Sequence, residues 1–483
     1  MKNSNLLEIF RTFSPKEMKE FKYFVSSPYF NTNESVILLF EFIRKHFPDF
    51  PDDKIEKKYV YSRIFGGADY NDGFMRKVMH SLFQLAEKYI SILGFTKNSP
   101  AVNDVLLQEY FSRNSSSLFL KTWKNTSPAG NKNNLMSSEQ FYYSFLSSYR
   151  YLAYGAEHKN VDFIKFAGKN DLLEPFEYLQ GHYYNSMMNL YEYYLNTQRM
   201  AKFEIDDPYF ENIFNSFDQR VISKYPFLKL HSNLIKMLKE PSAEEYFFEN
   251  KKLLSETASH IAGTDLENIY INMQNYCMRK IRANREEYSR ELFELYKMEL
   301  RDNDFSADKQ ISVILYRNIV FTSLQISETE FAERFAEDHK DFLPEEGKAS
   351  YFYAKAHISL KKGDLESIGK YLSRIKSADE MLKADIKSMY ILLYYESEAY
   401  HQFYSMIDTF RHFLKNNTGI SDERKDIYSQ FVNLAAKLSA VKENFSADKL
   451  SRLKDEIGNK ENLINKKWIT EKINELEKNN LST

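Results

Sequence analysis

The chain has little of the residues that sharp turns and crosslinks require. Its 483 residues include 14 glycines, 11 prolines and a single cysteine, Cys277. So few glycines and prolines argue against a turn-rich β protein and favour long helices with short connections. One cysteine cannot form an intramolecular disulfide, and Glu8 and Arg11 interrupt the apolar character of the first residues, so we expect a cytoplasmic protein without a secretion signal. No run approaches the roughly 18 apolar residues of a membrane span, and no membrane association is predicted.

An excess of either charge is also missing. Lys and Arg total 66, Asp and Glu total 68, and the formal net charge is −2. A protein dedicated to nucleic acid usually carries a basic excess or a basic face, so the composition does not favour that class. The basic clusters Lys57-Lys58 with Arg63, and Arg76-Lys77, leave open a nucleic-acid reader in the N-terminal segment.

The motifs of metal, phosphate and nucleophile chemistry are absent from the sequence. It contains no His-Glu-x-x-His, Cys-x-x-Cys, Gly-x-x-x-x-Gly-Lys or Gly-x-Ser-x-Gly. The acidic stretch from Asp69 has His80 at the twelfth position, where a calcium loop needs glutamate. Cys277 lies within a predicted helix and is interpreted as a small buried hydrophobe. We therefore predict no catalytic residue, no metal, no cofactor and no enzyme; an enzyme built from scattered residues would need a deep pocket of polar groups with perturbed pKa values.

Aromatic residues and helix-start patterns are what the chain has in abundance. The 39 Phe and 35 Tyr residues suit the space between stacked helices. Ser14-Pro15-Lys16-Glu17 is a capping-box pattern at a helix start. The same spacing recurs at Ser137–Gln140, Ser242–Glu245, Thr264–Glu267 and Ser327–Glu330. A tyrosine-dense helix is predicted over about 175–196, and the patterns together predict an all-α fold.

Periodicity and composition divide the chain into five predicted segments. These are an N-terminal helical domain at 1–98, a linker or long loop at 99–137, a helical region of divergent repeats at 138–263, helix-pair repeats at 264–415, and C-terminal helices at 416–483. The last helix, with a narrow apolar edge on a charged surface, is interpreted as the polar cap that a solenoid needs. The alternative is a docking helix for a partner.

Four antiparallel helix pairs are predicted in the repeat segment from one-sided apolar stripes. The stripe of the first helix consists of Leu266, Ile269, Met273 and Tyr276. The turns at Gly363 and Ser397 lie 34 residues apart, which is the period of a tetratricopeptide repeat. The Gly363-Asp364 turn and the small Ala356 resemble that family. In contrast, Ile368 stands where the second helix of a tetratricopeptide repeat usually has alanine, and the family's Trp, Leu and Gly residues of the first helix are absent. The resemblance implies a degenerate tetratricopeptide-repeat-like α-solenoid.

A broader resemblance spans nearly the whole chain. Phe13–Phe21 leading to Ser27–Asn31, the late Leu392–Glu396, and Phe410–Leu414 together are similar to a group of uncharacterised helical-repeat proteins of the Bacteroidetes and their relatives. The resemblance implies a bacterial cytoplasmic protein with a helical-repeat fold, and it implies no activity.

The predicted function is a scaffold or adaptor that binds a protein partner on the solenoid surface. Candidate contacts, chosen as exposed residues of the first helices of the pairs, are Tyr270, Arg317, Tyr353 and Lys387. The plain structural interpretation is that each of these side chains covers its neighbour. The alternative function is nucleic-acid binding by the helices of 1–98.

Overall fold

A computed structural model shows that the chain is all-α. It describes residues 1–66, 69–126, 136–157, 169–201, 208–261, 263–303, 305, 310–376, 379–458, 460 and 463–481. These ranges contain 24 α-helices, three short 3-10 helices and no strand. The all-α prediction is confirmed.

The chain divides into two compact units, 1–229 and 230–483. This division falls inside one helix, α12, and it does not coincide with any of the five predicted segment boundaries. The helices that begin in the first unit are α1 (Asn5–Arg11), α2 (Pro15–Val25), α3 (Glu34–Arg44), α4 (Lys57–Ile64), α5 (Asp72–Lys97), α6 (Ser99–Ser112), α7 (Ser116–Thr126), α8 (Ser138–Glu157), α9 (Lys169–Ala201), α10 (Tyr209–Asn215), α11 (Gln219–Lys224) and α12 (Pro226–Lys239). Those of the second are α13 (Glu245–Thr257), α14 (Gly263–Arg282), α15 (Tyr288–Asp302), α16 (Val313–Gln325), α17 (Thr329–Asp338), α18 (Lys348–Lys362), α19 (Leu365–Leu372), α20 (Glu380–Glu396), α21 (Tyr400–Asn416), α22 (Asp422–Glu443), α23 (Ala447–Gly458) and α24 (Lys466–Leu481).

Helices α1 to α5 of the first unit share one aromatic core. The Phe21 ring lies 5.8 Å from Phe10 and 5.0 Å from Phe40, and all three side chains are fully buried. The helix start at Ser14 is the predicted capping box, because the Glu17 amide donates to Ser14 Oγ at 3.2 Å and the Ser14 amide donates to Glu17 Oε2 at 2.8 Å. The edge-on ring geometry adds favourable quadrupole contacts to the burial of apolar area.

The predicted linker at 99–137 was wrong over its described part, since α6 and α7 occupy most of 99–126. Residues 127–135 lie outside the described residues. The Asn98 side chain caps α6 by accepting from the Ala101 amide at 3.0 Å. Phe119 of α7 stacks on Tyr154 of α8 with 4.4 Å between ring centroids. These aromatic contacts give the segment a small core of its own, which a polar composition did not reveal.

Helices α8 and α9 pack closely because α9 carries a glycine at the crossing. Phe141 of α8 is fully buried and lies over the backbone of Gly181. The Phe141 ring also meets the Tyr225 ring edge-on, with 4.8 Å between centroids. The predicted tyrosine-dense helix over 175–196 is confirmed as part of α9.

Sequential helices of the second unit pack as neighbours, in the pairs α14–α15, α16–α17, α18–α19 and α20–α21. The Tyr270 hydroxyl, early in α14, donates to Asp302 at the end of α15. The Tyr316 hydroxyl, early in α16, donates to the Ala336 carbonyl near the end of α17 at 2.9 Å. Each contact joins the start of one helix to the end of the next, so these two pairs are antiparallel.

The C-terminal helices complete a second core in this unit. Ile469, Ile473 and Leu476 of α24 are buried in the cluster that also contains residues of α20 to α23. Helix α23 was not predicted. The sequence predicts helices over about 421–441 and 462–479, and α22 and α24 begin and end within a few residues of those bounds.

Candidate functional site

A chain of polar and aromatic contacts links the first helices of successive pairs in the second unit. Arg317 of α16 donates to Asp385 Oδ2 of α20 at 2.8 Å. The Tyr428 hydroxyl of α22 donates to Asp385 Oδ1 at 2.6 Å. The Arg317 guanidinium also lies 5.1 Å from the centroid of the Tyr353 ring of α18. These contacts join α16 to both α18 and α20, and they join α20 to α22.

Two of the four candidate contact residues, Arg317 and Tyr353, lie in this chain of contacts. All four were predicted to be exposed, and that prediction was wrong for the two tyrosines. Tyr270 is fully buried and Tyr353 is 6% exposed. Arg317 and Lys387 are half-buried, and the Lys387 ammonium lies 5.2 Å from the centroid of the Phe413 ring. The middle helices pack against neighbours on more than one side, so side chains outside the predicted apolar stripe are also covered. Whether any of the four binds a partner stays a prediction.

A groove of about 780 Å³ opens beside this chain of contacts, between the C-terminal ends of α16, α18 and α20 and the start of α24. Its apolar surface is formed by Phe321, Leu324, Leu360, Leu365, Leu392 and Trp468. This volume lies in the range that pockets for small molecules and peptide side chains occupy.

Charged side chains surround the apolar surface of the groove, with lysines in excess. They are Lys361, Lys362, Lys467 and Lys472, together with Glu396 and Glu471. Lys362 forms an ion pair with Glu333, outside the groove. Lys361 and Lys467 are exposed, and neither forms an ion pair within the described part of the chain. The rim therefore offers two lysines whose charge no carboxylate in the described residues neutralises.

Glu396 anchors α24 at the groove. Its Oε1 accepts from the Trp468 indole at 2.6 Å, and its Oε2 lies 3.0 Å from the Lys472 ammonium. The Tyr395 ring meets the Trp468 ring edge-on, 5.1 Å between centroids. Hydrogen bonds to a charged carboxylate are stronger than those between neutral groups, and Glu396 accepts from two side chains of α24. Helix α24 therefore forms a fixed wall of the groove.

His357 lines the groove, with its ring packed between two aromatic rings. Its ring centroid is 4.7 Å from Phe321 and 4.6 Å from Tyr353, and its Nε2 is buried without a hydrogen-bond partner in the described residues. Burial, and secondarily the charge of Arg317, lower the pKa of His357 to about 3. The imidazole is therefore neutral in the folded protein at physiological pH, and it serves as a packing group.

This buried imidazole should make the second unit sensitive to mild acid. The pKa of His357 in the folded protein lies below its value of about 6.5 in the unfolded chain, so the unfolded chain binds the proton first as the pH falls. The contribution of neutral His357 to stability is therefore complete above about pH 6.5 and is lost below it. We expect the free energy of unfolding to fall between pH 7 and pH 5 by about 1–2 kcal/mol more in the wild type than in His357→Phe. Urea unfolding followed by Trp468 fluorescence in a Trp123→Phe background measures this. Parallel pH profiles of the two proteins would show that His357 is not the group responsible.

Comparisons with known proteins come to one result. No protein-family model, curated protein or solved structure matches this chain. The resemblances drawn from sequence motifs therefore stay predictions, and the assignment of function depends on the geometry and charge of the groove.

The basic clusters of the N-terminal helices are partly neutralised by nearby acids. Lys57 lies 3.7 Å from Asp72, and Arg76 forms an ion pair with the same carboxylate. The Arg63 guanidinium lies 5.3 Å from the centroid of the Tyr59 ring. Two of the five basic residues in these clusters thus share one acidic partner, which is typical of a solvated helical surface.

The described residues contain no group of His, Cys, Asp and Glu side chains placed to hold a metal ion. Among them, no helix is both long and apolar enough to cross a membrane. Cys277 is fully buried, and burial raises the pKa of its thiol, which favours the unreactive protonated form and agrees with the interpretation as a core residue.

Proposed function

We propose that this chain is a non-enzymatic interaction scaffold that binds a peptide segment of a partner protein in the groove of its second unit. The observation that carries the proposal is an apolar surface rimmed by the exposed Lys361 and Lys467. A buried apolar anchor supplies most of the affinity at such a site, and rim charges select the partner and accelerate association.

We further propose that the helix pairs of 264–415 form a tetratricopeptide-repeat-like array, with the groove on the side that the first helices share. The antiparallel pairs support this, as does the 34-residue spacing from Gly363 to Ser397. In such an array α24 covers the last repeat as a cap. The single, buried cysteine supports a reducing, cytoplasmic location.

The ligand that this groove fits best is an acidic peptide with one large apolar side chain. Leu360 and Leu365, both half-buried in the groove, offer the anchor an apolar contact, and the two exposed lysines attract carboxylates on either side of it. The two lysines come from different elements, Lys361 from α18 and Lys467 from α24. A ligand that reaches both must cross the groove, which an extended segment of a few residues can do.

Catalysis is less well supported than binding. Glu396 and Lys472 face each other, and Glu396 also accepts from Trp468, so these groups hold α24 in place rather than converge on a point where a substrate would react. His357 Nε2 is buried beneath the surface. For nucleic acid bound by 1–98, no specific observation in the structure adds support.

Reversing the charge of the rim lysines Lys361 and Lys467 should weaken binding. Selection of a phage-displayed library of random twelve-residue peptides on the wild-type chain should enrich sequences with Asp or Glu beside Leu, Phe or Trp. We expect the double variant Lys361→Glu/Lys467→Glu to bind the enriched peptide at least about tenfold more weakly, since like charges across an interface are repulsive. Fluorescence anisotropy of the labelled peptide measures both dissociation constants.

The matched control is Lys252→Glu, which reverses the charge of an exposed lysine on α13, away from the groove. It should leave the dissociation constant unchanged. Failure to enrich any peptide, or equal binding by the wild type and the double variant, would contradict the proposed function.

A further inference from the structure

Helix α9 of the first unit has apolar side chains on two faces. Its inner face, with Tyr178, Tyr184, Met188 and Tyr191 among its buried residues, packs in the unit. The outer face carries large apolar side chains that are between 44% and 73% exposed: Leu172, Leu173, Phe176, Leu179, Tyr183, Leu190 and Tyr193. A surface helix ordinarily has a polar outer face, so this second apolar face needs an explanation.

The outer apolar residues follow the spacing of a coiled-coil seam. From Leu172 the steps are four and three in alternation, through Phe176, Leu179 and Tyr183, then past Ser186 to Leu190 and Tyr193. This average of 3.5 residues lets two helices that supercoil around each other keep the same stripe in contact. The stripe covers three heptads, and Ser186, half-buried near Ser138, is its one polar position.

The exposed apolar area is large enough for a stable interface. Taking roughly 150–250 Å² for each aromatic side chain and less for each leucine, the exposed fractions leave on the order of 600 Å² of surface along α9. That area is at the upper end of the roughly 300–600 Å² of the largest apolar patch on a monomer, and it lies within the roughly 600–1,000 Å² that each partner contributes to a standard interface.

Charge along the stripe points to a second copy rather than to a different partner. The residues that flank the stripe on its two sides are Leu173, Pro175, Gln180, His182, Met187, Asn189 and Tyr194. None is an acid, a lysine or an arginine. Coiled coils that choose a different partner usually place complementary charges at these positions. An uncharged flank lets the helix meet an identical helix without repulsion.

We propose that two copies of the chain associate through the outer stripe of α9, defined by Leu172, Phe176, Leu179, Tyr183, Leu190 and Tyr193. Such an interface is isologous, with the same patch on both subunits, as in most soluble dimers. It is independent of the groove of the second unit, so either proposal can fail without the other.

The solution mass of the full chain tests this association. Size-exclusion chromatography with multi-angle light scattering at micromolar concentration should give twice the 57.3 kDa of one chain. Phe176→Glu/Leu190→Glu, which places charges on both ends of the stripe, should raise the dissociation constant more than about tenfold and give monomer. The control Tyr29→Glu/Leu38→Glu changes two exposed apolar residues elsewhere in the first unit and should remain dimeric. Equal helical circular dichroism of all three proteins shows that each folds.

Cysteine crosslinking gives a readout that does not depend on the charge variants. The natural Cys277 is buried, so an introduced surface thiol reacts first. If the two helices are parallel, Leu179→Cys should form a disulfide with the same position of the second copy. If they are antiparallel, Leu179→Cys/Leu190→Cys should form disulfides between position 179 of one copy and position 190 of the other. A monomeric wild type, or a dimer that keeps its mass in Phe176→Glu/Leu190→Glu and crosslinks through neither variant, would overturn the proposal.

Discussion

Replacing Gly181 by alanine should lower the free energy of unfolding of the first unit by about 2–3 kcal/mol, although alanine is the better helix former. A Cβ at this position would lie 2.5 Å from Phe141 Cδ1 and 2.8 Å from Cζ, and closer still to Cε1. The Phe141 ring cannot move away easily, because it is fully buried and Tyr225 packs against it edge-on. Separation of α8 from α9 is the only relief, and it exposes apolar area.

Gly94→Ala is the matched control for this prediction. Gly94 also lies within a helix, α5, and a Cβ there would meet nothing within 4 Å. We expect this variant to be more stable by up to about 1 kcal/mol, from helix propensity alone. Urea unfolding in a Trp468→Phe background follows the first unit through Trp123. If both alanine variants were stabilised alike, the close approach of Phe141 to Gly181 would be wrong.

Asp385→Ala should be the most damaging single change in the contacts that link the first helices. It leaves the Arg317 guanidinium and the buried Tyr428 hydroxyl without their shared acceptor. We expect a loss of about 2–3 kcal/mol in the free energy of unfolding of the second unit, since unsatisfied buried donors are costly. Partial exposure of both charged side chains and the contact of Arg317 with Tyr353 keep the loss from being larger.

Trp468 fluorescence in the Trp123→Phe background measures this loss. Asp408→Ala removes a carboxylate that is 79% exposed, and its effect should be within about 0.5 kcal/mol. Asp385→Asn, which keeps an acceptor but no charge, should fall between the two. Equal stability of the Asp385 and Asp408 alanine variants would show that the link between helices contributes nothing measurable.

Helix starts show how far local patterns predict this fold. The capping boxes at Ser14 and Ser137 form as expected, the latter with the Gln140 amide donating to Ser137 Oγ at 3.3 Å. Those predicted at Ser242, Thr264 and Ser327 were wrong. Helix α14 begins before Thr264, and Ser327 takes a positive φ of 67° in a turn between helices. A Ser or Thr side chain caps a helix only if the helix begins directly after that residue. Tertiary packing determines the residue at which the helix begins.

The helices of 99–126 were missed because the polar run at 112–117 was interpreted as part of a loop, yet one readable signal was present. Asn98 followed by Ser99-Pro100 is a cap with proline in the first turn, and it does start α6. For α7, the stabilising contacts are aromatic pairs between segments distant in sequence, such as Trp123 with Tyr151, 3.7 Å between ring centroids. Local spacing carries no information about those pairs.

The groove could not be predicted from spacing either. Its walls come from helix ends near residues 325, 361 and 396 and from the start of α24 near residue 467. These regions are distant in sequence, and the packing of α24 against the other helices completes the groove. Sequence periodicity distinguishes an apolar stripe from its surroundings, but a helix packed on several sides buries more than one stripe. That is why Tyr270 and Tyr353, outside the predicted stripes, are covered.

Trp468 offers the most direct test of the central claim, because it lines the groove and is the only tryptophan left in Trp123→Phe. Titration of that protein with the enriched acidic peptide should give a saturable change in Trp468 emission. In Lys361→Glu/Lys467→Glu the same change should require a peptide concentration at least about tenfold higher. Saturable binding with no change at Trp468, or the same change in both proteins, would contradict the assignment of this groove as the binding site.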